Sequence, residues 1–128
     1  METVHNTILI IDSDSHHCAN MAGILQKKGY QVRRAGDPDE AVENARHGEV
    51  NLVLTDHNAP VIDGIGLTRR LKNTGRDVHV IFFSESLDLD MYLEAMNSGA
   101  EDCLEKPCKP DDLLRAVESL IRAPADVH

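Results

Sequence analysis

Four polar residues that could act together at one site each follow a short apolar run of this chain. The clearest is Asp56, because the run Leu52–Thr55 ends on its carboxyl group and Pro60 and Gly64 then force a loop. A carboxylate placed in this way sits at the rim of a buried strand, where it faces solvent and ligands. If the runs are parallel strands, their carboxyl ends meet at one edge of one sheet. The other residues that would reach this edge are Asp12, Ser84 and Lys106.

Apolar runs and amphipathic segments alternate along the whole chain, which predicts the sheet that would position these residues. Strands are predicted at 7–12, 30–35, 51–55, 78–83 and 101–105, the second being the most polar and therefore an edge strand. Helices are predicted at 15–28, 38–46, 64–74, 88–97 and 110–122. This alternation indicates an α/β fold, a doubly wound five-stranded parallel sheet with helices on both faces. Ligands bind such folds at the carboxyl ends of the strands, where the four polar residues lie.

The ends of two helices are predicted in more detail. In the second helix Asp37 is the N-cap, Pro38 takes the first helical position and Glu40 closes a capping box. The last helix carries Leu120 and Ile121 on its buried face, and the tail beyond Pro124 is expected to fray.

Composition and charge limit the class of protein. The 128 residues suffice for a single domain spanning 1–128, with its core at about 7–122. The net charge of −9 is scattered along the chain, which argues against direct nucleic-acid binding. The three cysteines lack CxxC spacing, and no apolar run is long enough to span a membrane. We therefore expect a reduced, cytoplasmic chain that does not enter a membrane.

The ordered set of motifs resembles the receiver domain of two-component response regulators, and the resemblance covers nearly the whole chain. It implies a flavodoxin-like, three-layer α/β/α fold with strand order 2-1-3-4-5, which agrees with the alternation of elements. It also implies a signalling switch rather than an enzyme, with self-catalysed phosphoryl transfer and autodephosphorylation as its only chemistry. The matching segments are Ile8–Asp12, Leu52–Pro60, Asp63-Gly64, Ser84, Gly99-Ala100 and Lys106-Pro107.

The resemblance implies a role for each polar residue at the sheet edge. Asp56 would be the phosphoacceptor, a carboxylate nucleophile that takes a phosphoryl group from a sensor histidine kinase or a phosphotransfer protein. Asp12, Asp56 and the backbone carbonyl of Asn58 would hold Mg²⁺, Asp12 either directly or through water. Lys106 would be a second cation, and the Ser84 hydroxyl would hydrogen-bond a phosphoryl oxygen. The bond between Lys106 and the following proline is often cis in the family.

Four departures from the family pattern qualify this resemblance. Ser13 stands where a second acid usually binds the metal, and Asp14 is expected to point elsewhere, so we predict weakened Mg²⁺ affinity. Glu85 replaces a small residue beside the switch hydroxyl, and we predict slow phosphorylation by small anionic donors. Cys103 replaces an aromatic switch residue, so output through the face of the fourth helix, fifth strand and fifth helix is expected to be altered or absent. Ala59 replaces a common Met, which is a minor change.

Each residue of the predicted site also has a local interpretation. Asp12 could cap the helix that starts near Ser15, and Asp56 could be a turn acid. Ser84 could cap a helix or turn, and Lys106 could be a surface lysine whose stem covers apolar surface. None of these interpretations explains why all four residues fall on the same sheet edge.

The histidines raise the question of a transition-metal site. His16, His17 and Cys18 are contiguous, so on a helix their side chains diverge around the axis and a shared metal is disfavoured. His57 follows Asp56 and could line the phosphate pocket or face solvent, and we favour the exposed interpretation.

Three functions are compatible with these observations. The favoured one is a phosphoacceptor switch, whose further partner is a downstream protein or an output domain outside this chain. The alternative is a pseudo-receiver, a phosphorylation-independent interaction module, which Ser13, Glu85 and Cys103 favour. A flavin-binding protein is disfavoured because no Gly-rich or Ser/Thr-rich phosphate loop follows the first strand. A homodimer through the fourth and fifth helices is a further partner that the resemblance allows.

Overall fold

A five-stranded parallel sheet forms the centre of the protein. The computed structural model describes residues 6–59 and 62–122, with the backbone alone at Asn58, Ala59 and Ile62. The strands are β1 Thr7–Ile11, β2 Gln31–Arg34, β3 Leu52–Asp56, β4 Asn58–Ala59, β5 Ile62–Asp63, β6 His79–Ser84 and β7 Asp102–Glu105. The sheet order is β2-β1-β3-β6-β7, which is the predicted order 2-1-3-4-5 once the short β4–β5 pair is set aside. The predicted fold class and the edge position of β2 are therefore confirmed.

Five helices alternate with the strands of the sheet. They are α1 Ser15–Lys27, α2 Pro38–Arg46, α3 Gly64–Lys72, α4 Leu89–Ser98 and α5 Pro110–Glu118. The prediction that the last helix reaches residue 122 is wrong. The backbone N–H groups of Leu120 and Ile121 both donate to the Val117 carbonyl, and the Ile121 carbonyl accepts from the Tyr30 hydroxyl. These bonds close the helix in a final turn that keeps Ile121 buried, while Pro124 lies outside the described residues.

The alternation of side chains along the strands divides the core into two layers. Leu9 and Ile11 of β1 point to the side packed by α2, α3 and α4, and Ile8 and Ile10 point to the side packed by α1 and α5. These four side chains are buried almost completely. The central strands are apolar on both faces because helices cover both faces, as in other parallel sheets.

The start of α2 shows both the strength and the limit of a capping signal. Asp37 accepts a hydrogen bond from the Glu40 backbone N–H at 2.8 Å, as predicted for the N-cap. The Glu40 carboxylate, however, accepts from the Gly36 N–H at 3.0 Å instead of closing the box on Asp37. The extended Asp37 backbone lets the long Glu side chain reach one residue further back.

The loop after β3 contains a feature that the sequence did not predict, an antiparallel pairing of β4 with β5. Pro60, which was predicted to force this loop, lies outside the described residues. Gly64 fixes the end of the loop, since its N–H donates to the His57 carbonyl at 3.1 Å. A Cβ at Gly64 would lie 2.4 Å from the Asp56 carbonyl oxygen, so only glycine allows α3 to begin this close to the end of β3. Among the described residues, no helix is long and apolar enough to cross a membrane.

Candidate functional site

Two carboxylates and one ammonium meet at the carboxyl edge of the sheet. Asp56 ends β3 and Asp12 follows β1, its neighbour in the sheet. The Lys106 Nζ, which comes from the segment after β7, lies 2.6 Å from Asp56 Oδ1 and 2.8 Å from Asp12 Oδ1. The side chains of Asp12, Asp56 and Lys106 are 0%, 7% and 13% exposed. The three residues therefore form one buried ion-pair network. Lys106 is not the surface lysine of the alternative interpretation, because its ammonium lies inside this network.

The second oxygen of Asp56 is held by the protein itself. Asp56 Oδ2 accepts from the Ser13 backbone N–H at 2.9 Å and from the Ser13 hydroxyl at 3.2 Å. Ser13 thus contributes two donors where the family usually has an acid. Both oxygens of the buried Asp56 are hydrogen-bonded, which is what a buried charge requires.

Asp12 has a complete set of partners as well. Its Oδ1 also accepts from the Asp14 N–H at 2.9 Å, and its Oδ2 lies 2.8 Å from His17 Nδ1. Burial acts to raise the pKa of Asp12, but the hydrogen bonds from His17, Lys106 and Asp14 outweigh it and hold the pKa below its usual value. The helix-cap interpretation of Asp12 is wrong, because Asp14 is the N-cap of α1 and accepts from the N–H groups of His16 and His17.

The same network changes the pKa of Lys106. Burial acts to lower the pKa of Lys106, but its hydrogen bonds to Asp12 and Asp56 and their negative charges outweigh burial and raise it. The Lys106–Pro107 peptide bond is cis, as the resemblance implied. Lys106 therefore remains a cation beside two carboxylates.

His17 belongs to this site, and sequence reasoning missed it. The side chains of His16, His17 and Cys18 do diverge: His16 is exposed, and Cys18 accepts a hydrogen bond from Arg34 at 3.0 Å. His17 turns inward, meets Asp12 and packs edge-on against Phe83, with ring centroids 5.2 Å apart. The available signal was a histidine in the first turn of the helix that follows a strand-end acid.

The Ser84 side chain makes no hydrogen-bond contact with this cluster among the described residues. Ser84 ends β6, the strand beside β3, and its hydroxyl donates to the Ser86 carbonyl at 2.9 Å. This local bond matches the alternative interpretation of Ser84 as a turn residue. Asn58 lies in β4, two positions after Asp56, with its backbone paired to Asp63.

A cleft of about 310 Å³ opens beside the cluster. The exposed Glu85 lines this cleft together with Lys106 and His17. A phosphoryl donor that approaches Asp56 through this cleft would pass the Glu85 carboxylate. The lining residues are Ser13, Asp14, His16, His17, Asn20, Glu85, Lys106 and Pro107.

His57 was predicted either to line the phosphate pocket or to face solvent, and it does neither. Its ring packs at a tilt on Phe82, with centroids 5.8 Å apart, and its Nε2 lies 3.5 Å from the Glu94 carboxylate of α4. The side chain is 20% exposed. It therefore lies between β6 and α4, because the apolar ring of Phe82 and the acid of α4 offer it both a packing surface and a polar partner.

Cys103 is a small core residue, as predicted. It is buried in the layer under α4, and burial followed by the charge of Asp102 raises the pKa of its thiol to about 11. The thiolate is the reactive form of cysteine, so a thiol with this pKa is inert near neutral pH.

The oxygen donors at the site suit a hard divalent cation. Asp12, Asp56 and the backbone carbonyl of Asn58 could offer oxygen atoms to a cation, and Mg²⁺ is commonly held by one or two carboxylates together with water. Within residues 6–59 and 62–122, no group of three or more His, Cys, Asp or Glu side chains is arranged to hold a metal ion. This donor set fits Mg²⁺ better than a transition metal with an all-protein ligand shell.

Comparison with known proteins gives consistent results. The family model for the response regulator receiver domain matches residues 8–118. Over 115 residues the chain is 31% identical to the transcriptional regulatory protein PrrA of Mycobacterium leprae, covering 90% of this chain and 49% of PrrA. It is 33% identical over 106 residues to the transcriptional regulatory protein ZraR of Klebsiella oxytoca, covering 83% of this chain and 24% of ZraR. The chain thus spans about half or less of these relatives.

The fold likeness is equally clear. The crystal structure of a response regulator receiver domain protein from Methanospirillum hungatei superimposes with a TM-score of 0.81 and 26% identity, covering 91% of this chain and 93% of that one.

Proposed function

We propose that this chain, which belongs to the response regulator receiver domain family, accepts a phosphoryl group on Asp56 and thereby switches its interactions with a partner. The observation that carries the proposal is the buried Asp56 carboxylate at the end of β3, 2.6 Å from the ammonium of Lys106. The phosphoryl donor would be a sensor histidine kinase or a phosphotransfer protein. We take residues 1–128 as one domain with its core at about 7–122.

Each residue of the site would have a distinct role in the reaction. An oxygen of Asp56 attacks phosphorus, and the bond from phosphorus to the donor's imidazole nitrogen breaks. The imidazole, protonated on its other ring nitrogen before transfer, leaves as the neutral ring, and Asp56 becomes an acyl phosphate. Lys106, already against Asp56, binds an oxygen of the transferred group and offsets its charge. Receiver domains bind Mg²⁺ at the acidic site, and here Asp12, Asp56 and the Asn58 carbonyl would hold it to neutralise the phosphoryl oxygens.

Ser84 would report the modification. Its hydroxyl donates to the Ser86 carbonyl in the structure, so it must leave that bond to donate to a phosphoryl oxygen. This change would alter the segment that leads from β6 into α4. The partner that responds would be a downstream protein or an output domain outside this chain.

The proposal is tested by intact-mass spectrometry of the protein after incubation with Mg²⁺ and a small phosphodonor. We expect one added phosphate, which neutral hydroxylamine removes because acyl phosphates are hydroxylamine-labile whereas phosphoserine is stable. Beryllofluoride binding provides a parallel test that does not depend on phosphoryl transfer. A protein that gains no phosphate and binds no beryllofluoride at millimolar Mg²⁺ would contradict the proposal.

A specific observation favours the pseudo-receiver as the second candidate. The protein itself supplies partners for both acids, which contact Lys106, Ser13 and His17. Large apolar side chains are also exposed on and before α4, where Leu89 is 69% and Leu93 is 50% exposed. A partner that binds this surface equally well before and after phosphodonor treatment would support the alternative.

Replacing Glu85 with Ala is expected to speed phosphorylation by a small anionic donor. The carboxylate lines the cleft beside Lys106 and repels the donor, so its removal should raise the rate about threefold to tenfold at low ionic strength. The gain should shrink at high salt, which screens exposed charges. The rate is followed by mass spectrometry, with Asp90→Ala on exposed α4 as a control for the loss of one acid. Equal rates for Glu85→Ala and wild type would contradict the predicted role.

Replacing Ser13 with Asp is expected to tighten Mg²⁺ binding about tenfold, or about 1.4 kcal/mol. The Ser13 hydroxyl already lies 3.2 Å from Asp56 Oδ2, so an Asp there would place a carboxylate at the metal site. The measurement is isothermal titration calorimetry with MgCl₂. Ser15→Asp adds the same charge at the exposed start of α1 and should leave the dissociation constant near the wild-type value. A Ser13→Asp variant no tighter than that control would refute the prediction.

A further inference from the structure

His17 Nδ1 and Asp12 Oδ2 form a hydrogen bond of 2.8 Å. The carboxylate can only accept, so Nδ1 carries the proton and donates. The histidine side chain is 11% exposed and Asp12 is 0% exposed. This bond is therefore formed in a buried setting, where a hydrogen bond to a charged group is strong.

The hydrogen bond between Nδ1 and Asp12 sets the orientation of the His17 ring, and the surroundings of Nε2 support this. His17 Nε2 is buried and has no hydrogen-bond partner among the described residues. A buried nitrogen without a hydrogen-bond partner is unfavourable, so other contacts of the ring must stabilise this orientation. The bond to Asp12 and the edge-on packing against Phe83 are the two contacts that do so.

The consequence concerns the cation that Asp12 would bind. Asp12 Oδ1 already accepts from Lys106 and from the Asp14 N–H, and Oδ2 accepts from His17. Each carboxylate oxygen has two lone pairs, so Oδ1 is filled while Oδ2 keeps one lone pair beside the His17 N–H. A divalent cation that uses Asp12, directly or through water, must therefore compete with His17 for Oδ2 or displace a donor from Oδ1. Lys106 is needed at Asp56 and Asp14 is the N-cap of α1, so the donor that can yield is His17.

We propose that His17 is a positioning residue that holds Asp12 Oδ2 away from the divalent cation and so keeps Mg²⁺ affinity low. The inference rests on the proposed function, because the cation is the one required for phosphoryl transfer to Asp56. It is separate from the effect of Ser13, which acts on Asp56 Oδ2 rather than on Asp12.

The test compares Mg²⁺ binding in two histidine variants. His17→Leu removes the N–H donor while filling much of the space against Phe83, and His47→Leu makes the same change at an exposed histidine at the end of α2, away from the cleft. We expect the Mg²⁺ dissociation constant from calorimetry to fall about tenfold in His17→Leu and to stay at the wild-type value in His47→Leu. The rise in melting temperature at a fixed Mg²⁺ concentration should follow the same order.

A conservative variant separates hydrogen bonding from packing. His17→Asn carries a side-chain N–H that can reach the position of Nδ1, so its dissociation constant should return toward the wild-type value. His17→Met removes the donor with a flexible apolar side chain, and it carries the same prediction as His17→Leu if the latter does not fold.

Two results would overturn the inference. One is a dissociation constant in the folded His17→Leu or His17→Met variant that equals or exceeds that of wild type. The other is an equal gain in His47→Leu. If wild type takes up phosphate but His17→Leu binds Mg²⁺ no better, only the inference fails. If His17→Leu binds Mg²⁺ more tightly but wild type takes up no phosphate and no beryllofluoride, the inference holds and the proposed function fails.

Discussion

Replacing Asp56 with Asn is expected to abolish the phosphoryl adduct completely while preserving the fold. A neutral amide is not a nucleophile for phosphorus, whereas a carboxylate is, and Asp56 lies at the end of a buried strand. The two side chains are nearly equal in size, so packing around residue 56 should be kept. Lys106 also retains Asp12 as an ionic partner in the variant.

The measurement is intact-mass spectrometry after phosphodonor treatment, together with a thermal melt in the absence of Mg²⁺. Asp63→Asn is the matched control, because Asp63 follows the same loop, is exposed and caps α3. This control should take up phosphate, although the loss of its cap charge lowers stability slightly. A hydroxylamine-labile adduct that persists in Asp56→Asn would place the phosphoacceptor at another residue.

Replacing Lys106 with Met is expected to lower the free energy of unfolding by roughly 3–5 kcal/mol near neutral pH, the range for removing one partner of a buried ion pair. The ammonium lies between Asp12 and Asp56, both almost fully buried. Without it, two like charges remain in a poorly solvated site. Lys106 itself is only 13% exposed, so the weak energies of surface ion pairs do not apply.

The loss should depend on pH in a defined direction. Because the pKa of Asp12 is lowered in the folded wild type, the stabilisation from its partners is present above the unfolded-state pKa and disappears as pH falls through the folded-state pKa. Protonation of one acid also relieves the repulsion in the variant. The difference in stability between wild type and Lys106→Met should therefore shrink as pH is lowered below 3.8, the ordinary pKa of an aspartate.

Urea unfolding at several pH values measures this effect. Lys109→Met serves as the control because Lys109 is exposed at the start of α5 and makes no side-chain cap bond. Adding Asp12→Asn to Lys106→Met should restore much of the stability, since one of the two unpaired charges is gone. If Lys106→Met proves as stable as Lys109→Met at pH 7, the network does not stabilise the protein in the way we infer.

The sequence predicted the positions of the site residues better than it predicted their side-chain contacts. Asp56 and Lys106 were identified because each follows a short run that reads as a strand, and parallel strands bring their carboxyl ends to one edge. Ser84 was placed at the correct strand end, but its hydroxyl donates to Ser86. Strand position fixes where a side chain begins, while the rotation about its bonds depends on which partners lie within reach.

The same distinction applies to the loops. Gly64 was recognised as a loop residue, but its close approach to the Asp56 carbonyl depends on how α3 meets β3. The pairing of β4 with β5 involves two residues on each side, which is too short for a repeating apolar pattern to signal.

The sequence by itself determined the doubly wound fold and the edge at which Asp12, Asp56 and Lys106 meet. Both follow from the local periodicity of apolar residues, which each segment carries independently of the others. Only the tertiary structure decided that Lys106 bonds Asp12 across 94 residues of chain and that His17 turns toward Asp12. Such contacts depend on the packing of α1 and the segment after β7 against the sheet, and local periodicity specifies neither the angle nor the depth of that packing.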